Sequence, residues 1–219
     1  MPYKLSPSSL NLMEECPRCF WLERNSGILR PNGIFPSLPS GMDRVLKAHF
    51  DSFRDRKELP PELRGVGAQL FSNAELLAVW RDYRKGIRFT DDAGNIVRGA
   101  VDDILQTGSK LIVLDFKTRG FPVKDDTAGY YQLQLDMYNF LLRKVGYETE
   151  DYAYLLFYMP REVGRGGEFI FNSELVKMDT SVRNAERAIS KAISILTGKL
   201  PDISGECKFC KWSGMEGVG

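Results

Sequence analysis

Apolar positions along the chain change their period twice. Up to about position 83 they recur at helical spacing, from 86 to 117 they alternate or run together, and helical spacing then returns. Ser6-Pro7-Ser8-Ser9 ahead of Leu10 and Leu12 marks a helix start, with Ser6 as cap and Pro7 in the first helical position. That helix should end near Cys16, because Pro17 disfavours a helical residue before it. A Pro/Gly-rich connection covers about 27–40. A second helix is expected over about 42–54, with Val45, Leu46, His49, Phe50 and Phe53 on one broad face. Pro60-Pro61 breaks the chain, and 74–83 predicts a third, shorter helix.

The strand-like part follows. Residues 86–89 and 96–105 flank Asp91-Asp92-Ala93-Gly94-Asn95, a strong turn sequence. Residues 110–117 form a third strand, whose Leu-Ile-Val-Leu run implies burial on both faces. An amphipathic helix over 128–145, a strand over 151–159 and a short strand near 168–171 come next. Asn172-Ser173 then reads as the cap of a last helix over about 174–196. There is no internal repeat and no low-complexity segment. This order predicts an α/β fold with a mixed sheet.

The chain of 219 residues, 43% hydrophobic and 27% charged, suffices for one sizeable core or a core plus a small lobe, and its apolar content argues against disorder. A net charge of only +1 excludes a general polycation, so nucleic-acid binding would require positive charge gathered in a groove. No apolar run reaches membrane-spanning length and the N-terminus lacks a signal-type core, so a soluble, cytoplasmic protein without a membrane partner is expected.

Chemistry concentrates in the strands. Asp115 and Lys117 are two apart and leave one face of the third strand. The preceding strand carries Asp102 and Asp103 where a core strand should be apolar, and buried carboxylates need partners, of which a divalent cation is one. Adjacent residues point to opposite faces, so only one of the two can join Asp115 and Lys117, and periodicity does not say which. Two carboxylates hold Mg²⁺ or Mn²⁺, and a lysine beside the metal serves phosphodiester hydrolysis. Arg54, Arg56, Lys57, Arg81, Arg84, Lys85, Arg119 and Lys124 are candidate phosphate contacts, Arg119 foremost because it follows the third strand directly. Two Cys-x-x-Cys pairs, Cys16/Cys19 and Cys207/Cys210, stand near the two ends. Their spacing alone makes a tetrahedral zinc site the default.

Gly99-x-x-Asp102, Asp115-Phe116-Lys117 and Gln134-x-x-x-Tyr138 in series resemble the motifs of RecB-like nucleases in the PD-(D/E)XK superfamily. The resemblance implies a restriction-endonuclease-like core flanked by helices, with a helical lobe joined to the C-terminus by a four-cysteine metal site. It implies three regions: 1–85 with the first cysteine pair, 86–172 as nuclease core, and 173–219 with the last helix and second pair. It assigns Asp102, Asp115 and the Phe116 carbonyl as metal ligands and Lys117 as the catalytic lysine. Gln134 and Tyr138 become the helix motif that faces the site. The family often places a metal-binding histidine on a helix before the strands. The lone histidine here, His49, fits either that role or core packing. The CRISPR-associated branch and related helicase-nucleases tie their termini together with an iron–sulfur cluster, so a [4Fe–4S] cluster is expected at the cysteines, with zinc as the alternative. The implied activity is cleavage of DNA, single-stranded and from an end, alongside CRISPR adaptation or recombination proteins. A non-catalytic DNA-binding or assembly module of the same fold is the competing reading. A metal-bearing interaction protein would leave the strand acids unexplained.

Overall fold

The computed structural model describes residues 2–31, 33, 37–124, 126–203 and 205–212. Helix α1 (Pro7–Glu15) starts as the sequence predicts: the Ser6 side chain accepts from the Ser9 amide, and Ser9 reciprocates to the Ser6 amide. Cys16 ends it, and a short helix α2 (Pro17–Trp21) follows. Helix α3 (Ser37–Arg56) begins earlier than expected, with Pro39 near its N-terminus where proline is tolerated. Leu46 and Phe50 face inward, but Val45 is 59% exposed. Helix α4 (Ala74–Arg81) is capped by Asn73.

Two sheets share the chain. Strands β1 (Lys4–Leu5), β3 (Ile87–Thr90) and β4 (Ile96–Gly99) form one in the order β1-β4-β3. Strands β2 (Gln69–Leu70), β5 (Asp103–Thr107), β6 (Lys110–Thr118), β7 (Tyr152–Val163) and β8 (Phe169–Asp179) form the other, in that order. Its β6–β7 pair is parallel and the rest antiparallel, so the sheet is mixed. Parallel neighbours need a crossover, supplied by a 3₁₀ turn (Ala128–Tyr131) and helix α5 (Gln132–Lys144).

The strand expected over 96–105 is two strands. The chain leaves the small sheet after Gly99 and enters the large one at Asp103. The end of α4 receives the crossing backbone: the Val101 amide donates to the Trp80 carbonyl, and Arg81 Nε donates to the Asp102 carbonyl at 2.7 Å. The last helix is also corrected. Residues 174–179 belong to β8, where Glu174 pairs with Phe157 and Leu175 with Leu156. Helix α6 (Val182–Thr197) starts later, capped by Ser181, whose amide donates to Asp136 on α5. The sheet thus runs past position 172. A short helix α7 (Lys208–Trp212) was not anticipated.

Alternation along β6 builds two cores. Leu111 and Val113 pack on one face with α1, α5 and α6; Ile112, Leu114 and Phe116 pack on the other with Leu46 and Phe50 of α3. Asp115 and Lys117 share the parity of Val113, so the strand delivers them to the α5 face. Among the described residues no helix is long and apolar enough to cross a membrane.

Candidate active site

Register settles what periodicity leaves open. Asp103 pairs with Leu114, which places it on the α3 face. One residue earlier, Asp102 falls on the Asp115 side, where β5 no longer accompanies β6. There the Asp102 carboxylate replaces the missing strand: its Oδ2 accepts the Phe116 amide at 2.9 Å. The Phe116 carbonyl leaves the strand on the same side as its N–H, toward the place that β5 has vacated.

Helix α5 supplies the opposite wall. Lys117 Nζ donates to Gln134 Oε1 at 3.1 Å, and Gln134 Nε2 donates to Asp115 Oδ1 at 3.1 Å and to the Tyr138 hydroxyl at 2.8 Å. An ammonium only donates and a carboxylate only accepts, so these neighbours fix which way the Gln134 amide points. Lys117 also forms an ion pair with Asp115 and lies over the Tyr131 ring. Gly99 has a packing reason: a Cβ there would come within 2.8 Å of the Tyr138 ring.

The electrostatics suit a cation. Burial, with the Asp102 charge adding to it, pushes Asp115 up to about 7 against the opposing charge of Lys117. Asp115 is 1% exposed, and the Lys117 ammonium sits against its Oδ2. Two neighbouring carboxylates, one of them buried, and a strand carbonyl at the vacated edge form a hard-oxygen set suited to Mg²⁺ or Mn²⁺, with the Lys117 ammonium beside it. Burial and the nearby carboxylates hold Tyr138 protonated, so it remains a hydrogen-bond donor.

A residue unforeseen by sequence joins the site. Lys47 Nζ lies 3.1 Å from Asp102 Oδ1 and 2.7 Å from Asp43, so α3 presents a lysine to the carboxylates. His49 does not join them. Its Nε2 lies 3.2 Å from Glu62, which also accepts from the Tyr158 hydroxyl, and its ring meets Phe50 and Phe53 edge-on. Two positions beyond Lys47 on a helix, it faces another way.

Asp103 is fully buried in a network of its own. Arg54 and Arg81 both ion-pair with it, both also reach Asp51, and the Ile104 amide donates to it. Arg54 and Arg81 are therefore structural, not phosphate contacts, and Arg56 pairs with Glu58. Burial pushes Asp103 up, but protonating it would strand two guanidinium groups, and we assign it as charged. Asp103→Ala is expected to cost about 3–5 kcal/mol, read as a lower urea midpoint. Asp102→Asn should leave that midpoint nearly unchanged and lose cleavage instead. Equal midpoints for the two variants would contradict this division.

The four cysteines also converge. All four are buried, and their sulfurs lie within 4.8 Å of one another. Cys16 and Cys210 are 3.7 Å apart, Cys19 and Cys207 3.7 Å, and Cys19 and Cys210 3.5 Å. Arg30 reaches Cys207 Sγ at 3.6 Å and lies over the Phe209 ring. The arrangement is a four-thiol metal site joining the N-terminal helices to the C-terminal segment.

No curated protein matches the chain significantly. A family model for the PD-(D/E)XK nuclease superfamily matches residues 4–215, nearly the whole length. With its mixed sheet flanked by helices, and with paired strand carboxylates and a lysine at the point where two strands part, this chain belongs to the PD-(D/E)XK nuclease superfamily.

Proposed function

We propose that the chain hydrolyses DNA phosphodiester bonds with Mg²⁺ or Mn²⁺ held by Asp102, Asp115 and the Phe116 carbonyl. The observation that carries this reading is the convergence of buried Asp115, the Asp102 carboxylate and the Lys117 ammonium at the strand parting. The bound ion would lower the pKa of a water and offset charge on the phosphate. Lys117 stands next to the carboxylates with its ammonium oriented by Gln134, where it can meet a phosphate oxygen. Gln134 holds Asp115 and Tyr138 in one hydrogen-bonded row.

Within the superfamily we place the chain in the RecB-like, CRISPR-associated branch, as an exonuclease on single-stranded DNA acting in CRISPR adaptation or recombination. Support comes from the motif series. The test uses single- and double-stranded DNA labelled at one end, with Mn²⁺ or EDTA. Stepwise products from single strands, abolished by EDTA, are expected. Internal fragments would replace the exonuclease assignment with an endonuclease. Binding without cleavage would favour the non-catalytic module.

At the cysteines, sulfur spacing favours zinc over a [4Fe–4S] cluster. Four thiolates around one ion at about 2.3 Å stand about 3.8 Å apart; three of the sulfur pairs here are 3.5–3.7 Å apart and all four sulfurs lie within 4.8 Å of one another. A cubane body of four irons and four sulfides must hold its thiolates farther apart, because its bonds radiate from corners and not from a point.

A further inference from the structure

A cavity of about 380 Å³ adjoins the carboxylate site and shares Gln134 and Tyr138 with it. Its other walls come from the start of α1, the turn before β3, and β4, so with α5 four separate chain segments build it. Lys85 and Arg98 line it, as do Ser6 and Ser8, and among the described residues its lining contains no carboxylate. Among the described residues Arg98 Nη1 makes only a long hydrogen bond, 3.4 Å, to the Arg84 carbonyl. For a molecule of net charge +1, two cations in a recess without acids among the described residues, beside the Asp102 and Asp115 carboxylates, mark a local reversal of sign.

Tyr138 adds a second, independent feature. It is 5% exposed, and its oxygen accepts from Gln134 Nε2. Its own proton thus has no acceptor shown among the described residues, and the ring forms part of the cavity wall. At the rim, Tyr83 is 72% exposed, with the Arg84 guanidinium over its ring. A large aromatic held at an opening in this way offers a stacking face.

The volume selects the occupant. It lies at the lower end of small-ligand pockets, roughly 300–1,000 Å³, so it admits one unstacked nucleotide and not a duplex. We propose that this cavity receives one nucleotide of the substrate strand next to the scissile bond, with its phosphate on Lys85, Arg98 and the Tyr138 hydroxyl and its base against Tyr83. The inference rests on the nuclease reading above and gives a physical cause for single-strand preference: a paired nucleotide cannot enter.

Binding is measured by fluorescence anisotropy of a labelled single-stranded oligodeoxynucleotide and its duplex, with Ca²⁺ in place of Mn²⁺, across a salt series. Lys85→Ala and Arg98→Ala should each weaken single-strand binding about five- to tenfold at low salt. Each should also flatten the salt slope by about 0.7 for every phosphate left without its cation. Tyr83→Ala should weaken binding about fivefold with the slope unchanged, because stacking releases no counterions. Lys199→Ala removes an exposed lysine after α6 that does not line the cavity, and should change neither. Wild-type protein that binds no single strand, or Lys85 and Arg98 variants that behave like Lys199→Ala, would overturn the proposal. The two readings fail separately. Cleavage in Mn²⁺ with unaltered variant binding removes the nucleotide site alone, and variant-sensitive binding without cleavage removes only the nuclease reading.

Discussion

Asp115→Ala should fold, bind DNA and cleave it at least about a hundredfold more slowly than the wild type. Folding is expected to survive because the carboxylate is costly where it stands. It is buried, and burial with the Asp102 charge pushes it up to about 7. Its removal leaves Lys117 with Gln134 Oε1 as acceptor, so no ammonium is orphaned. In EDTA the variant should therefore melt no lower than the wild type. Added Mn²⁺ binds the native state and should raise the wild-type melting temperature, with little effect on the variant. Lys117→Ala should lose cleavage to a similar degree yet keep the Mn²⁺-dependent rise in melting temperature, which separates a ligand from a lysine that meets the phosphate. A Lys117→Ala enzyme at wild-type rate, or equal Mn²⁺ stabilisation of wild type and Asp115→Ala, would refute these assignments.

Sequence revealed the site best where a strand is buried on both sides. In β6 the apolar run from Leu111 to Leu114 leaves strand geometry as the natural reading, and period two then places Asp115 and Lys117 together. The same logic stopped at Asp102 and Asp103. The chain changes sheets between Gly99 and Asp103, and that break is held by Trp80 and Arg81, about twenty residues earlier. Nothing local to Ala100-Val101-Asp102 encodes those partners. The register of β5 on β6 decides the matter, and register is a tertiary quantity.

Two other differences have distinct causes. Asn172-Ser173 carries a real capping signal, but the long hairpin of β7 and β8 offers a ladder of backbone hydrogen bonds through Asp179 that outweighs it. Ser181 then performs the capping, tied to Asp136 of α5. Lys47 escaped notice because Asp43 and Lys47, one helical turn apart, read as an ordinary exposed ion pair. Only the approach of α3 to Asp102 turns that pair into part of the site.

Loss of one cysteine should unfold more of the molecule than loss of any active-site residue. Cys19 and Cys207 are separated by 188 positions, and closing a loop of that size constrains the unfolded chain by about 5 kcal/mol on the disulfide analogy. The bound ion adds its own affinity for the native state. Burial raises Cys210, whereas the Cys210 amide and neighbouring thiols overcome burial to lower Cys207 to about 6, so the cluster offers a thiolate near neutral pH. Arg30, beside Cys207, favours that negative charge. Cys210→Ala should therefore lose the metal and melt well below the wild type, and strong chelation of the wild type should produce a similar drop. Elemental analysis of protein purified without oxygen identifies the occupant. One zinc per chain, no acid-labile sulfide and a colourless solution are expected from the sulfur spacing. About four irons with four sulfides and broad absorbance near about 400 nm would instead establish the cluster, and would mean that the thiols spread apart to receive it. A Cys210→Ala protein with unchanged metal content and melting temperature would refute both, because either site needs that fourth sulfur.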